Sequence, residues 1–174
     1  IPVHLGLDHL PNIYCGVAVF VLLPLYIMCS KVNAREKIGK CVILLIFLTA
    51  FNLNIPNYIW HGMHFPNSLP CRQSFIYIFF LLAMCYEAVI NLKNSTNRQL
   101  GASLWIAIGL LLIMEELFIN SETEYSFKSV YISGIFILIY GLLMFIHNNA
   151  KFKIPVVLML TFSVSIIECT MNMD

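Results

Sequence analysis

The stretch Ser129-Val-Tyr-Ile-Ser-Gly-Ile-Phe-Ile-Leu-Ile-Tyr-Gly-Leu-Leu-Met-Phe-Ile146 runs for 18 residues without a charge. As a helix it is about 27 Å long, close to the ~30 Å hydrocarbon layer of a bilayer. Five further runs are mostly apolar, at about 13–30, 38–53, 73–92, 101–119 and 154–170, and all but the first of these hold one or two charges. The pattern predicts an all-α protein, a polytopic transmembrane helical bundle of about six spans, with residues 1–174 as a single membrane domain. Pro24 is expected to kink the first span by removing a backbone donor, whereas Pro155 starts the last one, where a missing N–H costs nothing.

Composition agrees with that reading. Of 174 residues, 60% are hydrophobic and 11% charged, where soluble domains have roughly 45–50% and about 25%. These values exclude a water-soluble globule and a disordered chain. The formal charge of +1 comes with no basic patch able to follow a phosphate backbone, so no nucleic-acid partner is expected. Six cysteines without a C-x-x-C pair define neither a disulfide framework nor a metal site. The chain starts at Ile1 with no basic segment ahead of the first apolar run, and reads as a piece of a longer protein.

Basic residues orient the spans, because Lys and Arg in short loops stay in the cytoplasm. Lys31, Arg35, Lys37, Lys40, Lys93, Arg98, Lys151 and Lys153 fall in alternate loops, leaving only Arg72 and Lys128 on the other side. Both termini and the loop 54–72 are therefore expected outside. The tripeptide Asn94-Ser95-Thr96 has the form of a glycosylation acceptor but falls on the cytoplasmic side.

The external loop concentrates the chemistry. It holds Pro56, Pro66 and Pro70, which restrict the backbone, with His61, His64, Trp60 and Arg72. Arg72 keeps its charge at any biological pH and can grip a phosphate with two parallel hydrogen bonds, or can snorkel to ordinary headgroups. Gln73 and Ser74 can supplement either role. His61 and His64 form an H-x-x-H, a weak metal signal without neighbouring carboxylates, so no metal or other cofactor is expected. Trp60 also suits a plain aromatic-belt loop. Glu115, Glu116 and Glu168 share the external level by topology; a carboxylate there can serve as a base, but more often such residues end a helix in water. No nucleotide-binding or serine-hydrolase motif is present.

The stretch from Tyr58 to Phe80 contains His61-Gly-Met-His-Phe-Pro-Asn-Ser-Leu-Pro-Cys-Arg-Gln-Ser-Phe75. It resembles the bacterial YfhO family of large polytopic membrane proteins. Leu10-Pro-Asn-Ile-Tyr-Cys-Gly16 is similar to the segment preceding this block in that family. The family is in turn similar to membrane glycosyltransferases of the GT-C type, some of whose relatives decorate teichoic acids.

The resemblance implies transfer of a sugar from a polyprenyl-phosphate carrier to a cell-surface polymer such as teichoic acid, at the bacterial plasma membrane. The implied partners are the lipid-linked sugar donor, the polymer acceptor and membrane lipid. The expected substrate-binding residues are Trp60, His61, His64, Asn67, Arg72 and Ser74. The catalytic carboxylate of such enzymes is on a first external loop, expected upstream of this chain. The competing readings are a lipid-linked sugar transporter or flippase, and a non-catalytic membrane assembly subunit.

Overall fold

A computed structural model describes residues 14–60, 62–64, 73–119, 127–149 and 154–171. Among them the regular elements are helical: α1 Ala18–Met28, α2 Ala34–Asn52, α3 Asn54–Trp60, α4 Ser74–Ile90, α5 Asn97–Ile119, α6 Phe127–Asn149 and α7 Ile154–Met171, with a short 3₁₀ turn at Leu92–Asn94. Two compact units divide the chain: residues 1–15 with 32–83, and residues 16–31 with 84–174. Helix α4 contributes its first part to one and its last part to the other.

Local chemistry sets the helix starts. Asn33 precedes α2, and its side chain accepts the Arg35 N–H at 3.1 Å, which satisfies a donor with no intrahelical partner. In the first turn Glu36 pairs with Lys40 at 2.7 Å. Helix α5 opens on a capping box: the Gln99 N–H donates to Thr96 Oγ1 at 3.3 Å and the Thr96 N–H to Gln99 Oε1 at 2.8 Å. The tripeptide ending in Thr96 therefore has a structural task.

Helix α2 ends at Asn52, and after extended Leu53 (φ −119°) the chain turns helical again at α3. Pro56 falls in the first turn of α3, where no intrahelical N–H is required. The expected external loop 54–72 therefore begins as a helix. Helix α1 runs unbroken through Pro24 but has only 11 residues. At about 16 Å it is shorter than the expected span 13–30 and does not cross a bilayer alone.

In the first unit, α2 packs on α3, and buried Phe47 and Phe51 are covered by Ile43, Ile76 and Tyr77. The second unit joins α1, α5, α6 and α7. Glycines on α6 let α5 approach closely: a Cβ on Gly134 would meet Leu111 at 3.6 Å, and one on Gly141 would overlap Leu104. Those two pairings make α5 and α6 antiparallel. Small residues at such interfaces bring backbones together where lipid cannot drive helices into contact. Ser103 and Ala107, both fully buried, continue the same pattern on α5.

Outward surfaces are apolar. Windows at Asn97–Glu116 and Val130–Asn149 have mean hydropathies of 1.4 and 2.1, yet only 17% and 33% of their residues are buried. A core helix of a soluble protein would be mostly covered. Here Trp105, Met159 and Phe162 are at least 70% exposed, as lipid-facing side chains are. Among the described residues these two helices are long and apolar enough to cross a membrane; α1, α4 and α7 are shorter apolar helices. The ends of the chain, expected outside, lie beyond the described residues.

Candidate functional site

The motif region is held at both ends by aromatic rings in the first unit. Trp60, the last residue of α3, meets the Phe47 ring edge-on at 4.8 Å. Tyr77, one turn into α4, meets Phe51 edge-on at 5.5 Å and Phe47 at 6.5 Å. One face of α2 thus anchors the helix before the motif and the helix after it. Edge-to-face contacts at these distances contribute about 0.5–1.5 kcal/mol each beyond area burial. Trp60 remains 44% exposed, so its ring serves both the packing and a surface.

The chain leaves α3 through a left-handed closure. The Met63 N–H donates to the Tyr58 carbonyl at 3.0 Å and the Gly62 N–H to the Ile59 carbonyl at 3.1 Å, the bond pair of a Schellman cap. Gly62 has φ +67° and Met63 φ +64°. Glycine takes this conformation freely, whereas for methionine it is strained, a kind of strain that collects at functional sites. Replacing Gly62 with Ala is expected to lower stability by about 1 kcal/mol, with Asn milder, because no described residue comes within 4 Å of an added Cβ and the left-handed backbone sets the cost. Thermal unfolding of the two variants checks this; equal midpoints for Ala, Asn and wild type would refute it. His64 follows the closure and is exposed.

At the far end, Ser74 starts α4 and is half-buried. Gln73, just before it, is 2% exposed, and neither polar atom of its side-chain amide has a hydrogen-bond partner among the described residues. Leaving such groups buried and unpaired costs about 1–3 kcal/mol each. The structure thus brings Trp60, His64 and Ser74 into one unit on the α2 scaffold. Of the other expected site residues, His61, Asn67 and Arg72 lie outside the described residues.

A second polar cluster lies in the other unit. Glu168, in the last turn of α7, is 1% exposed. The Val17 N–H donates to its Oε1 at 2.6 Å, and the Tyr140 hydroxyl donates to its Oε2 at 2.6 Å. This corrects the expectation that Glu168 ends a helix in water. It instead closes the start of α1, whose leading N–H groups have no intrahelical partners and form the positive end of the helix dipole. Gly16, at φ +92°, turns the chain into that contact.

Residues 4–174 match the family model of the bacterial membrane protein YfhO. The chain belongs to the YfhO family. The YfhO match extends well past Leu92, after which the resemblance read from the sequence is only compositional, and takes in α5, α6 and α7 with the Glu168 cluster. No curated protein and no solved structure matches this YfhO chain.

Sequence reasoning does not find the Glu168 cluster. One partner is a backbone N–H, and the other, Tyr140, is indistinguishable by sequence from its apolar neighbours. The available signal is an acid within an apolar run, which in a membrane protein points to a paired, buried role.

Proposed function

We propose that this YfhO chain is part of a membrane-embedded glycosyltransferase that moves a sugar from a polyprenyl-phosphate carrier to a cell-surface polymer such as teichoic acid. Trp60, His61, His64, Asn67, Arg72 and Ser74 contribute the substrate site. The observation that carries this reading is Gln73, a buried amide whose donor and acceptor have no partner among the described residues, adjacent in sequence to Arg72 and Ser74. A polar ligand satisfies such a group, whereas an aromatic-belt loop has no use for it.

Transfer breaks the bond between the anomeric carbon and the carrier phosphate oxygen and forms one to an acceptor hydroxyl oxygen. Negative charge grows on the departing lipid phosphate. A guanidinium from Arg72, positioned beforehand, lowers the barrier by neutralising it. His61 and His64 hydrogen-bond phosphate or sugar hydroxyls, and the exposed part of Trp60 stacks on sugar or isoprenoid. The acceptor proton passes to a base supplied from elsewhere in the protein.

Two substitutions in the full-length protein test the reading. Arg72→Ala should insert normally and lose polymer glycosylation by about 100-fold or more, the scale for removing a group that stabilises charge in the transition state. Gln73→Met removes the unsatisfied amide, so thermal stability should hold or rise while transfer falls. Wild-type glycosylation in correctly inserted Arg72→Ala protein would overturn the proposal. So would donor movement between leaflets without sugar transfer, measured after reconstitution with donor and acceptor both outside.

A further inference from the structure

The second unit contains an apolar groove of about 570 Å³. One face of α6 walls it with Leu143 and Met144, one face of α7 with Leu158 and Phe162, and α1 adds Leu22. Its polar side chains are mostly occupied with protein. Thr161 Oγ1 donates to the Val157 and Leu158 carbonyls at 3.1 and 2.8 Å. The Tyr140 hydroxyl donates to Glu168 Oε2 at 2.6 Å. Nothing in the body of the groove requires water or a polar ligand. It is built for hydrocarbon.

The exception is His147, which lines one end of the groove in the last turn of α6. Among the described residues no hydrogen bond or ion pair engages its ring. Interhelical bonds bring three basic residues of the unit toward this same end. Gln99 Nε2 donates to the Met28 carbonyl at 3.0 Å, and Asn148 Nδ2 donates to the Ser95 carbonyl and to Asn97 Oδ1, both at 3.1 Å. The end of α1, the start of α5 and the end of α6 therefore meet, bringing exposed Lys31, Lys93 and Arg98 to the His147 end. Within this unit the acid nearest to Lys93 in sequence is Glu87, six residues earlier on α4.

An apolar slot whose rim is cationic fits an anionic amphiphile with its chain inside and its phosphate at the rim. Two sources have that chemistry, a phospholipid and a polyprenyl phosphate. Phospholipid is the bulk component of a bilayer and a carrier lipid a minor one, so a groove open to lipid meets the phospholipid. By the distribution of basic residues, the rim faces the cytoplasm.

We propose that this groove is a resident binding site for an acyl chain of an anionic phospholipid, with the headgroup phosphate at His147. The site is independent of the sugar-transfer reading. The full-length protein, stripped of lipid in detergent, should bind phosphatidylglycerol and melt several degrees higher with it, while phosphatidylcholine gives a much smaller shift. Leu158→Trp, which fills the groove, should abolish phosphatidylglycerol retention measured by native mass spectrometry. His147→Ala should weaken it about tenfold, the loss of one charge-assisted hydrogen bond. Equal stabilisation by both phospholipids would overturn the proposal, as would undisturbed lipid retention in Leu158→Trp. Displacement of phosphatidylglycerol by equimolar undecaprenyl phosphate would make the groove a carrier site and overturn it as well. A large loss of stability on Leu158→Trp in lipid-free protein would mean that another protein segment occupies the groove, and the lipid site would again be refuted.

Discussion

Glu168→Ala is expected to destabilise the protein by about 3–5 kcal/mol. The carboxyl group is 1% exposed and serves two donors at 2.6 Å, the Val17 N–H and the Tyr140 hydroxyl. Alanine leaves both buried without an acceptor and opens a void beside them. Interhelical hydrogen bonds in membranes often measure only about 0.6 kcal/mol, because separated helices find other partners. Val17 differs, since its N–H stands at a helix start and has no intrahelical substitute.

Glu168→Gln keeps one acceptor oxygen but turns an NH₂ toward the other donor, so about 1–3 kcal/mol should be lost. Tyr140→Phe removes one donor and should cost about 1 kcal/mol. In the Glu168→Ala background that substitution should become neutral or stabilising, which a double-mutant cycle of unfolding in detergent measures. Additive losses in that cycle would show that the two residues are not coupled.

The second large effect is expected at Gly141. A methyl group there would overlap the Leu104 side chain, so Gly141→Ala should cost about 1–3 kcal/mol, and Leu at that position more, by forcing α5 away from α6. Leu104→Ala should rescue Gly141→Ala by restoring space, although alone it removes packing. Gly134, where an added Cβ would sit at an ordinary 3.6 Å from Leu111, should accept Ala with little change. If Gly134→Ala and Gly141→Ala unfold alike, close approach at Leu104 is not what the glycine provides.

These residues mark where sequence reading stops. The long apolar runs announce α4, α5, α6 and α7 with bounds close to those observed, because the bilayer demands length and hydropathy, and both are written locally. The run at 13–30 misleads in one respect: its apolar character extends further than its helix. Gly16 and Glu168 set where α1 starts, and they lie 152 positions apart in the chain. The segment after α2 reads as an external loop because of its prolines, yet Pro56 sits without penalty in the first turn of α3.

The candidate site is legible as residue types and order. Trp60, His64 and Ser74 stand out as an aromatic and polar group at the mouth of a span, and the family pattern follows from the same segment. Their shared support does not stand out: Phe47 and Phe51 look like ordinary members of an apolar run until Trp60 and Tyr77 are found against them. Gln73 is visible as a polar neighbour of Arg72, but its burial and unpaired amide are not.

Sequence by itself determined that this is a helical membrane protein of the YfhO pattern, since hydropathy, charge asymmetry and a contiguous motif are properties of the chain before it folds. Tertiary structure alone decided which polar groups are buried, which glycines admit a neighbouring helix, and that Glu168 completes a helix start far from it in sequence. A hydrogen bond between distant residues depends on a distance of 2.6 Å in space, and no local pattern encodes that distance.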